Sequence, residues 1–399
     1  MRAIVIRPYK DMNVYFDNAA TTQLDAEVLK EMLYILENKY GNPSSIHSYG
    51  RQAKALVEKA RKTIANGLNV SPSEIFFTSG GTEADNMAIL STVETYNIKH
   101  IISSPLEHHA VLHSIESLVN KGKVTVSHVA IKENGHIDLE NLENQLKKHP
   151  HSLVSLMHAN NEIGNILPIE KVGDLCEKYE AIFHSDTVQS MCHYPLDLQK
   201  INVDFIAASA HKFHGPKGIG FIYINGKRSI SPQIHGGGQE RNMRGGTENV
   251  AGIMGLSKAF EIACTQMKEH AEHIQHIKTY FINRLEGELK GVEFNGDMKE
   301  NSLYTVLNVT LPATDDYEMM LMKLDMSGIA ASAGSACSSG SNVGSHVIAA
   351  LGKNIDRRPV IRFSFSKYNT TEEVDFCMDT LKSFYYIDSK PLIKVKSIN

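Results

Sequence analysis

Short apolar runs alternate with helix-length amphipathic segments from about residue 75 onward. In the segment GTEADNMAILSTVETY, for example, the apolar side chains fall on or near one helical face. Strands that alternate with helices predict a mostly parallel α/β sheet covered on both sides. The apolar runs are EIFFT, HIISS, KVTVSHVAI, SLVSLMHA, AIFHSD, DFIAASA and GFIYI. Only a short Gly-Pro loop joins the last two, which predicts one antiparallel neighbour.

The pattern changes in the C-terminal third of the chain. A long helical segment from about Val250 to Glu288 is predicted to bridge two domains. Beyond it, SLYTVLNVTL and PVIRFSFS predict strands, whereas DYEMMLMKLDMSG and TEEVDFCMDTLKSFYY predict helices, so we expect a smaller α+β domain. Residues 327–345 are made almost wholly of Ser, Gly and Ala, which predicts a mobile surface loop.

Composition and charge narrow the class of protein. The chain has 399 residues, of which 42% are apolar and 22% charged, as is typical of a globular protein. Its net charge of −4 argues against a nucleic-acid or anionic-membrane partner, and no apolar run approaches the length of a membrane span. The N-terminus does not have the pattern of a secretory signal. Five cysteines without a C-x-x-C pair predict free thiols in a reducing cytoplasm.

Polar clusters follow five successive predicted strands, at the sheet edge where ligands bind in open parallel sheets. The clusters are SGGTEADN, SPLEHHAV, MHANNEIG, FHSDTVQS and SAHK. Together they supply hydroxyl, imidazole, amide, carboxylate and amine groups. In the first cluster, Gly80 and Gly81 open a helix whose free N–H groups can hold a phosphate. A tight turn capped by Thr82 explains that cluster about equally well.

One cofactor needs this whole set of groups. A phosphate binds glycines and hydroxyls, a planar ring stacks on a histidine, a protonated pyridine nitrogen pairs with a carboxylate, and an aldehyde reacts with a lysine. Pyridoxal 5'-phosphate has all four features. Lys212, at the end of the strand DFIAASA, is therefore the predicted Schiff-base amine, against the alternative of an ordinary surface lysine.

Nine motifs follow one another along about residues 14–380: YFDNAATT, GNPSSIHSYGRQA, FTSGGTEADN, EHHAVL, MHANNEIG, HSDTVQ, ASAHKFHGPKGIG, HGGGQERNMRGGTEN and GSACSSGS. Together they closely resemble the NifS/IscS-type cysteine desulfurases, which are class V, fold-type I pyridoxal-phosphate enzymes. The resemblance implies an α/β fold-type I transferase with a mostly parallel seven-stranded sheet and a smaller α+β domain. It also implies a large cofactor-binding domain at 21–261, a small domain formed by 1–20 and 262–399, and a homodimer with shared active sites.

The resemblance implies a role for individual residues as well. Lys212 bonds the cofactor aldehyde, Asp186 pairs with the pyridinium nitrogen, and His108, rather than His109, stacks on the ring and is counted among the catalytic residues. The residues implied at the phosphate are Gly81, Thr82, Ser209 and His211, and Thr247 is implied to reach the phosphate of the neighbouring subunit. At the ring, Gln189 is implied to bond the ring oxygen, with Asn161 nearby. At the substrate, Arg362 is implied to bind the carboxylate, and Asn18 to lie close by.

Cys337 in GSACSSGS is the expected catalytic thiol. Free cysteine is usually buried, but this segment is too polar and too rich in glycine to be core. A flexible loop would let the sulfur visit the cofactor and then an acceptor. The predicted reaction converts L-cysteine to L-alanine and leaves the sulfur on Cys337 as a persulfide, for iron-sulfur cluster or other sulfur-containing cofactor biosynthesis.

Two alternative functions remain. One is another class V enzyme, such as a selenocysteine lyase or an aminotransferase, although Cys337 argues against a plain aminotransferase. The other is a non-catalytic sulfur carrier or cluster-assembly partner, against which Lys212, Asp186 and Cys337 argue. The tail YYIDSKPLIKVKSIN differs from the one with which IscS docks its scaffold, so the sulfur-acceptor protein, such as an iron-sulfur scaffold, is not identified. The histidines of KEHAEHIQHIK fall on a predicted solvated helix face, and no metal site is expected.

Overall fold

A seven-stranded sheet forms the centre of the protein in a computed structural model that describes residues 12–298, 302–334, 345–353 and 355–385. The strand order is β2-β8-β7-β6-β5-β3-β4. The strands are β2 (Ile75–Thr78), β3 (His100–Ser103), β4 (Thr125–His128), β5 (Leu153–Ser155), β6 (Ile182–Asp186), β7 (Phe205–Ser209) and β8 (Gly220–Ile224). Strand β8 runs antiparallel to both of its neighbours and the other pairs are parallel. The mostly parallel seven-stranded sheet with one antiparallel neighbour is therefore confirmed.

Helices cover both faces of this sheet. They are α1 (Ala26–Asn38), α2 (Ser48–Leu68), α3 (Gly81–Tyr96), α4 (His109–Asn120), α5 (Leu139–Lys148), α6 (Ile169–Lys178) and α7 (Val250–Thr265). Successive strand side chains point to opposite faces, so Phe76 packs with α3 and α4 whereas Phe77 packs with α2 and α7. Except in the edge strand β4, the strand residues are almost all buried on both sides, which explains why the sequence shows continuous apolar runs rather than alternation.

A second core joins the start of the described chain to its C-terminal part. Strand β1 (Val14–Tyr15) pairs in parallel with β11 (Ile329–Ala330). Strands β9 (Glu293–Phe294), β10 (Val306–Thr310) and β12 (Val360–Ser364) form an antiparallel sheet. Helices α8 (Met267–Glu288), α9 (Met320–Met326), α10 (His346–Ala350) and α11 (Thr371–Tyr385) complete this part of the chain. The rings of Phe16, Phe281, Phe363 and Phe365 meet at its centre. The division at residues 20/21 and 261/262 stays a prediction.

Two sequence expectations need correction. The helical segment at 250–288 is two helices rather than one, because Gln266 leaves the helical conformation (φ −103°, ψ 13°) between α7 and α8. The stretch 327–345 does not begin as a surface loop, because the N–H groups of Val14 and Phe16 donate to Gly328 O and Ala330 O, and Ile329 is buried. Residues 335–344 lie outside the described residues.

The lengths of the described helices are relevant to membrane association and to the connections between larger elements. Within the ranges given above, no helix is both long enough and apolar enough to cross a membrane. Short 3₁₀ helices connect larger elements of the described chain at Pro72–Glu74, Ala210–Lys212 and Tyr317–Met319. The second of these carries the lysine on which the functional hypothesis depends.

Candidate active site

Lys212 lies at the carboxyl end of β7, in the turn that follows the strand at once. Its Nζ donates to the carbonyl oxygens of Ala19 (2.5 Å) and Ala20 (3.0 Å), which belong to the segment after β1. The turn closes through Gly215, whose N–H donates to Ala210 O at 2.9 Å. A Cβ at Gly215 would lie 2.8 Å from the Ala210 Cβ, so this close turn requires glycine.

A cavity of about 440 Å³ opens beside Lys212 at the carboxyl edge of the sheet. It is the location that open parallel sheets use for ligands. Ten of the residues singled out in the sequence line it: Gly81, Thr82, His108, Asn161, Asp186, Gln189, Ser209, His211, Lys212 and Arg362. They come from the ends of several strands and from β12, so distant parts of the chain converge on one space.

The start of α3 forms one end of the cavity. The N-cap is Gly80, at φ +155°, which has no side chain to cap the helix. Thr82 lies inside the first turn, so the alternative in which Thr82 caps the helix is wrong. A Cβ at Gly81 would lie 2.6 Å from Val188 Cγ2, so only glycine lets the backbone sit this close to the segment after β6. Uncapped N–H groups at a helix start suit a phosphate.

Ser209 and His211 line the same end of the cavity. The His211 Nδ1 is 3.1 Å from Thr21 Oγ1, so a threonine from the N-terminal segment orients the ring. Burial, with the positive charges of Lys212 and Lys217, lowers the pKa of His211 to about 4. A phosphate at this position would bring the opposite charge, and these hydroxyl and imidazole groups therefore fit it.

Asp186 ends β6 on the floor of the cavity and is almost fully buried. One of its oxygens accepts a hydrogen bond from Val188 N at 2.8 Å. Burial raises the pKa of Asp186 to about 6, although the Val188 N–H and the charge of Lys212 oppose that rise. A cationic ring nitrogen beside this carboxylate would supply the counter-charge that burial demands.

His108 is the N-cap of α4, and its Nδ1 accepts from Ala110 N at 3.1 Å. Burial and the charge of Lys212 lower the pKa of His108 to about 4, so the ring is neutral at neutral pH. A neutral ring fixed by a backbone hydrogen bond suits stacking on a planar cofactor. His109 does not line the cavity with Lys212; its ring packs 4.7 Å from that of His346 and 4.9 Å from that of His113.

Arg362 lies on β12 and is 1% exposed. Its Nη1 donates to Asn161 O and its Nη2 to Asp17 Oδ1, both at 2.9 Å. Its buried Nε has no hydrogen-bond partner among the described residues. A guanidinium held in this way at the cavity wall suits a carboxylate ligand.

Two of the described predicted site residues, Asn18 and Thr247, do not line this cavity. Asn18 lines a smaller space behind Lys212, and its amide donates to Ser364 O (2.9 Å), Tyr15 O and Asn369 Oδ1, which indicates a structural role instead of substrate contact. Thr247 lines an adjoining cleft, which shares Ser79 and Gly218 with the cavity. Cys337 lies outside the described residues.

Asp85 is a cavity residue that the sequence reasoning missed. It is buried, and its Oδ1 is 3.3 Å from His184 Nε2. Burial and the neighbouring carboxyls of Asp186 and Glu107 raise the pKa of Asp85 well above its usual range. Asp85 follows Gly81 by four residues, about one helical turn, and that spacing was the signal available in the sequence.

The remaining cysteines and histidines show no comparable site. Burial raises the pKa of Cys176, Cys192 and Cys377, so none of these thiols is activated. The hydrogen bond with Cys192 lowers the pKa of Cys264, which does not line the cavity. In the histidine-containing segment KEHAEHIQHIK, His273 Nε2 forms a hydrogen bond with Asn369 O at 2.9 Å. Across the described ranges, no group of three or more His, Cys, Asp or Glu side chains is arranged to hold a metal ion.

Comparisons with known proteins agree with the motifs. The aminotransferase class-V family matches residues 14–376. A cysteine desulfurase IscS of Dictyoglomus turgidum is 41% identical over 372 residues, which are 92% of this chain and 93% of that protein. A solved NifS-like protein has a TM-score of 0.87 at 40% identity and covers 94% of this chain and 100% of its own. The structure of SspA in complex with cysteine has a TM-score of 0.76 at 32% identity, with 90% and 100% covered. The resemblance and the fold class predicted from the sequence are confirmed.

Proposed function

The chain belongs to the aminotransferase class-V family, and on this premise we propose that it is a pyridoxal-phosphate-dependent cysteine desulfurase. It would convert L-cysteine to L-alanine and transfer the sulfur to Cys337 as a persulfide, for iron-sulfur cluster or other sulfur-containing cofactor biosynthesis. The observation that carries this proposal is the convergence of Lys212, Asp186, His108 and the start of α3 on one cavity.

Each part of pyridoxal phosphate has a matching group in this cavity. The phosphate would be held by Gly81, Thr82, Ser209 and His211. His108 would stack on the ring, Asp186 would pair with the ring nitrogen, and Gln189 would bond the ring oxygen, with Asn161 nearby. Lys212 would bond the aldehyde carbon. The start of α3 has no side-chain cap, and the charge of Lys212 compensates the burial of the Asp186 carboxyl only in part, so both features suit the oppositely charged groups of the cofactor. When bound, the cofactor withdraws electrons from the substrate α-carbon.

Side chains of this protein would bind the substrate, accept its proton and take up its sulfur. Arg362 would bind the substrate carboxylate, and Lys212 would accept the α-proton at Nζ. The Cys337 thiolate would attack the substrate sulfur, so that an S–S bond forms as the Cβ–S bond breaks. The three-carbon product keeps the electron pair of the broken bond and takes up protons to become alanine. Cysteine and one protein thiol thus give alanine and one protein persulfide.

We also propose a homodimer in which each site is completed by Thr247 of the partner subunit. Thr247 lines the adjoining cleft and not the cavity of its own chain, which is compatible with a role at the site of the partner subunit. Exposed large apolar side chains are concentrated between residues 29 and 49, and a surface of this kind is typical of a protein interface: Leu29, Leu33, Tyr34, Leu36, Tyr40, Ile46 and Tyr49.

The domain division, the compartment and the sulfur acceptor complete the proposal. Two separate cores support a large domain at 21–261 and a small domain from 1–20 and 262–399. The cysteines of the described chain are free thiols, which supports a cytoplasmic location. The acceptor would be a protein that takes sulfur from a persulfide, such as an iron-sulfur scaffold.

Mass spectrometry after exposure to L-cysteine tests the function. We expect one added sulfur atom on a peptide that contains Cys337, together with release of alanine. Cys337→Ser should still bind the cofactor and change its visible spectrum with cysteine, because those steps need Lys212 and Arg362. It should form no persulfide and almost no alanine, since a hydroxyl is a far weaker nucleophile than a thiolate. Cys264→Ser, which changes a half-buried thiol that does not line the cavity, is the matched control. Alanine release by Cys337→Ser at the wild-type rate would instead indicate a direct lyase.

A further inference from the structure

Glu162 lies beside two residues, Gly334 and Ser345, that are eleven positions apart in the C-terminal part of the chain. Its Oε2 accepts a hydrogen bond from Ser345 Oγ. A Cβ built at Gly334 would lie 3.1 Å from the same Oε2 and 3.1 Å from Ser345 Cβ. Gly334 and Ser345 directly precede and follow residues 335–344, the part of the sequence that contains Cys337. Both ends of that segment therefore meet at one buried carboxylate.

The backbone around Glu162 is fixed to the cofactor side of the molecule. Its N–H and that of Ile163 donate to Asn160 Oδ1, each at 2.9 Å, and its carbonyl accepts from Asn308 Nδ2 at 3.1 Å. Glu162 is 1% exposed. The preceding residue, Asn161, lines the cavity and accepts from Arg362. Movement of the Glu162 carboxylate relative to the cavity is therefore restricted.

Ser345 and its neighbours are also held by hydrogen bonds. Its Oγ accepts from Ile348 N at 3.1 Å, so Ser345 caps α10 at the same time as it donates to Glu162. The next residue, His346, is 3.0 Å from Glu107 O through its Nε2. On the other side, Ser332 pairs with Arg362 along the backbone and donates to Asp17 Oδ1 at 2.8 Å.

We propose that Glu162 is a positioning residue that ties both ends of the Cys337 segment to the wall of the active-site cavity. The inference rests on the proposed function, because it requires Cys337 to receive the sulfur. Gly334 and Ser345, the two described residues that flank Cys337 along the chain, are both placed beside Glu162, and a fixed attachment raises the effective concentration of a group joined to it. Glu162 itself touches no reacting atom, so its contribution falls on the sulfur-transfer step and not on cysteine binding.

Two substitutions at Ser345 that are isosteric with each other separate the tether from the helix cap. Asp and Asn are both good N-caps, so Ser345→Asp and Ser345→Asn should keep α10. The Asn amide can donate to Glu162, whereas the Asp carboxylate repels it. We expect Ser345→Asp to lower kcat for alanine release by about tenfold or more, with a parallel loss of persulfide formation. Ser345→Asn should stay within about threefold of wild type, and KM for cysteine and the spectral response to cysteine should change in neither variant.

Glu162→Asp and Glu162→Gln provide a second pair if Ser345→Asp loses its cofactor or its far-UV circular dichroism. The Gln carbonyl can still accept from Ser345, whereas the Asp carboxylate is one methylene too short, so Glu162→Asp should be the slower variant. Equal kcat within either folded pair, whether fast or slow, would overturn the tether. Absence of persulfide on Cys337 in the wild-type protein would instead overturn the proposed function, so the two failures are distinguishable.

Discussion

Asp186→Asn should stabilise the cofactor-free protein at neutral and alkaline pH while it weakens cofactor binding. The substitution keeps the shape of the side chain, and the Asn carbonyl oxygen can still accept the 2.8 Å hydrogen bond from Val188 N. What it removes is the buried negative charge. In the cofactor-free protein that charge costs free energy, because burial in the floor of the cavity outweighs the compensation from Lys212.

The size of the effect follows from the pKa of Asp186. Its pKa rises from the ordinary value of 3.8 to about 6. Each tenfold change in the dissociation constant corresponds to about 1.4 kcal/mol, so the full effect is about 3 kcal/mol. Because the folded pKa lies above the unfolded pKa, the stability of the wild type is undiminished below pH 3.8. It falls as the pH rises through 6. The variant should therefore match the wild type near pH 4 and exceed it by about 3 kcal/mol near pH 8.

Urea denaturation of the cofactor-free proteins at several pH values measures this difference directly. With pyridoxal phosphate bound, we expect the order to reverse, since the positive ring nitrogen then makes the Asp186 charge favourable. Cofactor titration of both proteins at pH 8 checks the reversal. If the unfolding free energies of wild type and variant stay parallel between pH 4 and pH 8, the carboxyl is not strained by burial. The conclusion that burial of the Asp186 charge outweighs its compensation by Lys212 would then be refuted.

Three further predictions concern other parts of the molecule. Lys212→Ala should show neither the visible absorption of covalently held cofactor nor alanine release, and turnover near the wild-type rate would rule out Lys212 as the reactive amine. Thr247→Ala should weaken cofactor binding by about tenfold, the contribution of one hydrogen bond to a charged group, and a fully active monomer in sedimentation would refute the shared site. Burial lowers the pKa of His158 to about 4, so its neutral form stabilises the fold above pH 6.5 and that contribution is lost as the pH falls. In urea denaturation, the unfolding free energy of the wild type should therefore fall by about 2 kcal/mol more than that of His158→Gln between pH 7 and pH 5, and equal losses would contradict the lowered pKa.

Local sequence patterns determined the sheet and the location of the site. Buried parallel strands need continuous apolar runs, and their carboxyl ends must meet at one edge, so the polar residues after each run could be placed together before any coordinates were known. The turn at Lys212 was similarly readable, because glycine is required where the backbone folds back on Ala210. Motif resemblance added the reaction and the roles of residues such as Arg362, which no local pattern connects to the sheet.

Contacts between distant segments were decided only by the tertiary structure. The acceptors for Lys212 are Ala19 and Ala20, more than 190 positions away, and Ser345 reaches Glu162 across 183 positions. Asn18 appears from its motif to be a ligand residue, yet its amide is used by Ser364, Tyr15 and Asn369. Residues 329–330 have the composition of a loop, but an available strand edge at β1 pairs with them. Hydrophobic periodicity specifies which face of an element is buried. The partner of a given polar atom depends on how the elements pack, and that information is distributed over the whole chain.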